Sequence, residues 1–241
     1  MHLAGILPTP AVSVLVAEGL ADLGVVISAS HNPPADNGVK FFGPDGAKLT
    51  VEEEERSTAA AWSTPARAPA SPRTVPDPNR AAEFRARYLD RLLGEFGSER
   101  FLEGRSIVLD CARGATAVVA TEAFERCGAT VHAIHAEPDG ALINVCCGST
   151  HPEAVAAEVR ARGADLGVAF DGDGDRAILV DEVGGVVDGD EMLALWALDL
   201  RSRDALPGEA IVVTVMSNAG MERYLRDAGI DVLRTQVGDR E

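Results

Sequence analysis

Short apolar runs alternate with helical patterns along most of the chain. The run Val25-Val26-Ile27 within residues 24–29 predicts a buried strand, and a loop follows from Ser30 because Pro33 prevents a helix or a central strand from continuing. Farther along, the pattern predicts a strand over 106–110, a helix over 115–126, a strand over 130–134, a helix over 152–162 and a strand over 166–170. This alternation predicts an α/β fold with mixed, mostly parallel sheets.

A further α/β unit begins near Asp188. The pattern predicts a helix over 190–200, a strand over 210–215, a helix over 219–228 and a last strand near Val232. One strand, one helix and one more strand do not cover both faces of a parallel sheet. We therefore expect this unit to be incomplete at its C-terminal end.

A proline-rich stretch separates the first predicted strand from the alternating region. Residues 63–79 carry five prolines among Ala, Ser and Thr, a composition typical of an irregular connection, and a helical pattern follows over 81–96. We predict three successive domains: residues 1–80 are the C-terminal part of a first domain, 81–186 form a second, and 187–241 are the N-terminal part of a third.

The charge balance narrows the range of partners. Among 241 residues, 38 are acidic and 22 are basic, which gives a net charge of -16 and argues against a nucleic-acid partner. An anionic substrate then requires a local positive site. The four cysteines form no C-x-x-C pair, so we expect reduced thiols. Pro8 and Pro10 interrupt the apolar N-terminal stretch, so we expect no membrane span there. Together these features predict a cytoplasmic location.

The segment from Asp171 to Arg176, with the sequence D-G-D-G-D-R, carries the strongest chemical signal. Carboxylates at Asp171, Asp173 and Asp175 alternate with glycines, so three oxygens are able to converge on one cation. Oxygen ligands without His or Cys favour Mg²⁺ or Mn²⁺ over zinc. The sequence therefore predicts a hard-cation site, with a phosphate as a suitable fourth ligand.

Two other interpretations of this segment stay open. Its carboxylates and Glu182 fit ligand positions of an EF-hand loop, although Arg176 replaces the glycine of the sharp turn and the flanks resemble strands. A solvated acidic turn is the simplest alternative.

The second signal is Ser28-Ala29-Ser30-His31-Asn32-Pro33, followed by Lys40. Such a loop is often only a turn in which Ser or Asn bonds to nearby backbone. Acyl transfer fits poorly because there is no G-x-S-x-G elbow. Phosphoryl transfer fits better, since a serine oxygen can carry a phosphoryl group beside a metal and a positive side chain.

Together, the S-A-S-H-N-P and D-G-D-G-D-R segments closely resemble those of the α-D-phosphohexomutase superfamily. The resemblance extends nearly end to end, through Leu7-Pro8-Thr9-Pro10 and Cys147-Gly148-Ser149-Thr150-His151-Pro152. It is greatest with bacterial members that interconvert glucosamine 6-phosphate and glucosamine 1-phosphate for cell-wall precursor synthesis. The resemblance implies a phosphosugar substrate and a hexosamine bisphosphate intermediate.

The resemblance also implies roles for particular residues. Ser30 would be the phosphoserine, and Mg²⁺ would be bound by its phosphate together with Asp171, Asp173 and Asp175. His31, Lys40 and Arg176 match positions around the transferring phosphate, and Lys40 is a candidate for proton transfer if its pKa is lowered.

Family members have segments that do not occur here, among them the F-G-T-D-G-x-R-G motif, the G-E-x-S-G-H sugar-binding loop and the last phosphate-binding domain. We therefore expect a chain that is partial at both ends. Activity on mannose or glucose phosphates is an alternative, as is a fragment without catalytic activity.

Overall fold

The computed structural model describes residues 1–63, 75–96 and 100–238. Their contacts divide the chain into two compact units, Met1–Gly185 and Val186–Glu241. Both units have α/β architecture, as the sequence predicted. The division into three domains at residues 80 and 186 stays a prediction. Among the described helices, none is long and apolar enough to cross a bilayer.

The first unit contains six strands and five α-helices in the part of the chain that is described. In chain order they are α1 (Thr9–Ala17), β1 (Gly24–Ser28), β2 (Gly38–Phe42), α2 (Val51–Ser63), α3 (Pro78–Gly94), β3 (Ser106–Asp110), α4 (Ala120–Arg126), β4 (Thr130–Ile134), α5 (Glu153–Arg162), β5 (Leu166–Phe170) and β6 (Ala177–Val180).

The main sheet of this unit has the strand order β4-β3-β5-β6. Strand β3 pairs parallel with both β4 and β5, whereas β6 returns antiparallel to β5. Alternate residues of β3 enter two cores: Val108 packs with Val155 and Val159 of α5, and Leu109 packs with Val168. Because β3 and β5 are parallel, the loops that follow them lie at the same edge of the sheet.

Strand β1 is not fully buried, and the sequence prediction was wrong on this point. It pairs antiparallel with β2 in a separate two-stranded sheet. Gly24 and Val26 face α1, and a Cβ atom at Gly24 would lie 2.8 Å from Val12 Cγ1. Val25 and Ile27 point to the opposite face and are 48% and 75% exposed. A continuous apolar run does not reveal that only one face of its strand is covered.

Prolines begin helices at two places where the sequence analysis expected interruption. Pro10 lies in the first turn of α1, where its missing N–H costs no helical hydrogen bond. Pro78 begins α3, whose N-cap Asp77 accepts a hydrogen bond from Asn79 N. Helix α3 thus starts three residues before the predicted boundary at 81. Residues 64–74 of the expected irregular connection lie outside the described residues.

The predicted helix over 115–126 is divided. Ala115–Val118 forms a 3₁₀ turn, and Val119, with φ of -131°, separates it from α4. The predicted strands at 106–110, 130–134 and 166–170 coincide with β3, β4 and β5. Strands β3 and β5 are largely buried, whereas β4 is only partly buried.

The second unit consists of β7 (Val186–Val187), α6 (Gly189–Ser202), β8 (Ala210–Thr214), α7 (Ala219–Asp227) and β9 (Asp231–Thr235). Strands β8 and β9 are parallel, as expected of a strand-helix-strand crossover. Helix α6 begins with a capping box between Asp188 and Glu191. The core combines both helices with inward-facing residues of both strands, including Val213, Leu225 and Val232.

Candidate active site

The loop after β5 is a tight turn organised around one carboxylate. Oδ1 of Asp171 accepts the backbone N–H groups of Asp175 and Arg176, each at 3.1 Å. Gly174 adopts φ of +72°, and a Cβ atom there would lie 2.6 Å from Thr116 Cγ2. Glycine is therefore required at this position for two reasons: it adopts the positive φ of the turn, and it leaves room for the nearby 3₁₀ segment.

Asp171, Asp173 and Asp175 converge, with oxygens that lie within 4.8 Å of one another. Asp171 and Asp173 are buried, and Asp175 is exposed. Asp173 Oδ1 is buried without a hydrogen-bond partner, which is rare for a carboxylate oxygen unless a cation binds it. The donor set and this unpaired oxygen therefore fit a hard divalent cation.

The two alternative interpretations of this loop fit the structure poorly. It connects antiparallel strands β5 and β6, whereas an EF-hand loop connects two helices. Burial of Asp171 and Asp173 also distinguishes the loop from a solvated acidic turn.

The electrostatics of the triad are uneven. Burial, followed by the charges of Asp173 and Asp175, raises the pKa of Asp171 to about 7. Burial also opposes ionisation of Asp173, but hydrogen bonds from Lys40 and Thr9 outweigh it and lower the pKa of that carboxyl. Lys40 therefore stabilises the ionised form of Asp173, whereas burial and the neighbouring carboxylates disfavour the ionised form of Asp171.

Ser30 lies directly against this loop. Its hydroxyl donates to Asp171 Oδ2 at 3.0 Å, and its carbonyl oxygen accepts the N–H of Gly172 at 3.1 Å. Its φ is +52°, a conformation that costs a non-glycine residue roughly 1–3 kcal/mol. The serine loop and the metal loop therefore form one site, although 141 positions separate Ser30 from Asp171.

Lys40 supplies the positive charge of the site. It lies in β2, paired with Val26 of β1. Its Nζ donates to Asp173 Oδ2 at 2.6 Å and to Asp175 Oδ2 at 2.7 Å. Burial lowers the pKa of Lys40, but these hydrogen bonds dominate and raise it. In this arrangement Lys40 is a cation rather than the neutral amine that proton abstraction requires.

His31 and Arg176 lie at the margin of the site. His31 Nδ1 is 3.5 Å from Ser30 Oγ, a distance too long for a strong hydrogen bond. Arg176 Nε is 3.9 Å from Asp175 Oδ1, and its side chain is largely exposed. The structure thus brings Ser30, Lys40 and the three aspartates together, with His31 and Arg176 beside them.

Two residues that the sequence analysis missed contact the site directly. Thr9 donates its hydroxyl to Asp173 Oδ2 and its backbone N–H to Asp173 O. Asn144 donates its side-chain amide to Ser30 O at 2.7 Å. Thr9 lies in the quoted Pro-Thr-Pro segment at the start of a helix, whereas nothing local distinguishes Asn144.

A second cluster of potential ligands lies near the carboxyl end of β3. It consists of Asp110, His135 and Cys147. Both oxygens of Asp110 are already occupied, because they accept the N–H groups of Ala112 and Gly148 at 2.9 Å. Burial, together with the charge of Asp110, raises the pKa of the Cys147 thiol to about 11.

In this α/β chain, the loop after β1 brings a serine hydroxyl against the carboxylate triad in the loop after β5. The chain belongs to the phosphoglucomutase/phosphomannomutase family: models of its α/β/α domains I, II and III match residues 1–65, 86–184 and 188–241. This confirms the resemblance inferred from the sequence.

Within this family, the chain is similar to proteins named phosphoglucosamine mutase. It is 48% identical to that of Roseobacter denitrificans over 99% of this chain and 53% of the relative. It is 51% identical to that of Moorella thermoacetica over 98% of this chain and 53% of the relative. The chain spans about half the length of the curated relatives it matches.

Solved structures confirm the fold. A phosphoglucomutase/phosphomannomutase family protein from Burkholderia thailandensis matches with a TM-score of 0.72 and 27% identity, over 98% of this chain and 51% of that chain. N-acetylphosphoglucosamine mutase from Aspergillus fumigatus, solved with GlcNAc-6P and magnesium, matches with a TM-score of 0.61 and 20% identity over 96% of this chain and 60% of that chain.

Proposed function

We propose that this chain carries the phosphoserine and metal loops of a phosphoglucosamine mutase. The reaction interconverts glucosamine 6-phosphate and glucosamine 1-phosphate through a phosphoserine enzyme and a hexosamine bisphosphate. The observation that carries the proposal is the hydrogen bond from Ser30 Oγ to Asp171 within the aspartate triad. The names of the relatives in Roseobacter and Moorella support glucosamine as the sugar. The proposed location is the cytoplasm.

Ser30 is the residue that carries the phosphoryl group in this proposal. In the forward half of the reaction, a sugar hydroxyl attacks the phosphorus of phosphoserine, the bond between phosphorus and Ser30 Oγ breaks, and Ser30 recovers its hydroxyl. The second half returns the other phosphoryl group of the bisphosphate to Ser30. Both transfers need the same Oγ position, so a rigid serine loop is an advantage.

A divalent cation would be held by Asp171, Asp173, Asp175 and the phosphate on Ser30, and we propose Mg²⁺ because every donor is a hard oxygen. When bound, it would neutralise charge on the transferring phosphoryl group. Lys40 adds a second positive charge within reach of the same carboxylates. His31 and Arg176 are proposed to contact phosphate oxygens from the margin of the site.

The test is intact and peptide mass spectrometry after incubation with Mg²⁺ and glucosamine 1,6-bisphosphate. We expect one added phosphoryl group, located on Ser30 and lost in Ser30→Ala. Ser57→Ala is the matched control, because Ser57 is exposed on α2 and its hydroxyl donates to Glu53 O in the preceding helical turn. Phosphorylation that persists in Ser30→Ala would refute the assigned nucleophile.

The same assay separates the alternatives. Faster transfer from glucose or mannose 1,6-bisphosphate than from glucosamine 1,6-bisphosphate would replace the substrate assignment with a phosphoglucomutase or phosphomannomutase. Phosphorylation of Ser30 without net interconversion of the monophosphates would identify the chain as a fragment that keeps the first step only.

A further inference from the structure

The side-chain amide of Asn144 bridges two carbonyl groups of the serine loop. Nδ2 donates to Ser30 O at 2.7 Å and to Asn32 O at 3.0 Å. An amide nitrogen has two hydrogens, so both are used. The reverse orientation of the amide would place its oxygen against two carbonyl oxygens, and the contacts therefore fix which atom faces the loop.

Asn144 is itself firmly held. It is 8% exposed, and its backbone N–H donates to Ala112 O at 3.1 Å, in the loop after β3. Its φ of +60° lies in the left-handed region, which asparagine tolerates better than most residues. The amide is therefore presented from the turn between β4 and α5, which is held by the loop after β3, and not from the β1-β2 hairpin that carries Ser30.

Ser30 needs such support because its own backbone is unfavourable. Its φ is +52°, and serine does not readily adopt this region without external contacts. Its carbonyl is held by two donors, Gly172 N at 3.1 Å and Asn144 Nδ2. The space is closed, since a Cβ atom at Gly172 would lie 2.6 Å from Ser30 O.

We propose that Asn144 is a positioning residue that holds the left-handed backbone of Ser30 and so directs its Oγ toward Asp171. This role uses the two hydrogens of Nδ2, which are committed to backbone carbonyl groups of the serine loop. The catalytic consequence rests on the proposed function, whereas the effect on the backbone of Ser30 does not.

Two substitutions remove the donors without demanding a new backbone conformation. Asn144→Asp keeps the size and the tolerance of positive φ but places an oxygen against the carbonyl groups of Ser30 and Asn32. Asn144→Gly keeps the backbone freedom and removes the amide. The matched control is Asn37→Asp, since Asn37 also donates to a loop carbonyl, Pro34 O at 3.0 Å, but is exposed.

Three measurements are made on the full chain. They are the rate of Ser30 phosphorylation by glucosamine 1,6-bisphosphate, the backbone NMR signals of Ser30 with the exchange rate of the Gly172 N–H, and the affinity for Mn²⁺. In both Asn144 variants we expect a fall of about 10- to 100-fold in the phosphorylation rate, the size expected for a misplaced reacting atom. We also expect shifted Ser30 signals and faster Gly172 exchange.

The affinity for Mn²⁺ should change less than about twofold in these variants, because the aspartate triad stays intact, and Asn37→Asp should match the wild type in all three measurements. Unshifted Ser30 signals would overturn the proposal, as would a loss of Mn²⁺ affinity as large as the loss of phosphorylation. If wild-type Ser30 accepts no phosphoryl group while its signals still shift in the Asn144 variants, the positioning role stands and the proposed function fails.

Discussion

Two clusters of potential metal ligands lie beside the same sheet, and their chemistry differs. In the first, Asp173 Oδ1 is buried and unpaired. In the second, the two oxygens of Asp110 each accept a backbone N–H, and His135 Nδ1 approaches Oδ1 at 3.1 Å without forming a good hydrogen bond. The first cluster has a carboxylate oxygen free to coordinate a hard cation, whereas in the second only the ring nitrogen of His135 lacks a partner and both oxygens of Asp110 bind backbone N–H groups.

The comparison shows that proximity of ligand-type residues does not define a metal site. What distinguishes the two clusters is whether their oxygens already have partners and whether charge is left uncompensated. The aspartate triad combines two buried carboxylates with one exposed carboxylate, and Lys40 bonds to two of the three, Asp173 and Asp175. Asp110 brings a single negative charge, and its hydrogen-bond partners are the backbone N–H groups of Ala112 and Gly148.

The largest expected difference concerns metal affinity. Asp171→Asn and Asp173→Asn should each weaken Mn²⁺ binding by at least about 1000-fold, or about 4 kcal/mol, because each removes a charged oxygen ligand. Isothermal titration calorimetry measures the affinity. His135→Asn, which tolerates the φ of +48° at that position, is the control from the second cluster and should bind Mn²⁺ as the wild type does. Equal losses of Mn²⁺ affinity in all three variants would show that the two clusters do not differ in metal binding.

The stability of the metal-free chain should depend on pH through Asp171. Its pKa is raised from 3.8 to about 7 in the folded state, so the folded chain holds a proton that the unfolded chain has lost. The contribution of Asp171 to stability should therefore be largest near pH 4 and fall by up to about 4 kcal/mol as pH rises to 7. Urea denaturation across this range measures it. Asp171→Asn should remove most of the slope, and an unchanged slope would assign it elsewhere.

The second cluster should respond to loss of its carboxylate through stability rather than metal binding. Asp110→Asn presents an amide N–H₂ to a buried backbone N–H and should lower the free energy of unfolding by about 3 kcal/mol. Asp165→Asn is the matched control, because Asp165 also accepts a backbone N–H, from Ser106, but is exposed. Asp165→Asn should lower the free energy of unfolding by about 1 kcal/mol or less. Similar losses in urea denaturation would contradict the importance of burial.

The smallest expected effect tests Lys40 as a competitor of the metal. In the unphosphorylated chain, Lys40→Met removes an ammonium group bound to two triad carboxylates and should raise Mn²⁺ affinity about three- to tenfold at low ionic strength. Arg87→Met removes the same charge from an ion pair with Glu18 and should leave the affinity unchanged. A fall in affinity for Lys40→Met would mean that Lys40 assists metal binding instead of opposing it.

The sequence predicted those elements whose signal is local. Strands β3 and β5 are mostly apolar runs bounded by loops, and β4 mixes polar and apolar residues. The limits of all three strands agree with the prediction. Helix α2 was missed because its surface is polar and no residue in it is buried. Helix α1 was missed because Pro8 and Pro10 indicated an interruption, although proline suits the first turn of a helix.

The sequence predicted those residues of the site that lie within short continuous motifs. The Ser30 loop and the three aspartates were recognised from short segments, and the structure brings them together. Asn144 lies 114 positions from Ser30, and Thr9 lies 164 positions from Asp173. Both residues bond to partners that are distant in the sequence, so the spacing of nearby residues does not predict their role. The charge state of Lys40 likewise depends on carboxylates supplied by another strand pair.

The joining of Ser30 to Asp171 has a consequence for folding. A contact across 141 positions closes only after the β1-β2 hairpin has docked on the main sheet, so Ser30 joins the aspartate triad only in the folded first unit. A cation that binds only the folded chain stabilises it by mass action, by about 2.7 kcal/mol at a free concentration one hundred times its dissociation constant. A divalent cation held by the triad together with Ser30 would thus favour the completed fold of the first unit.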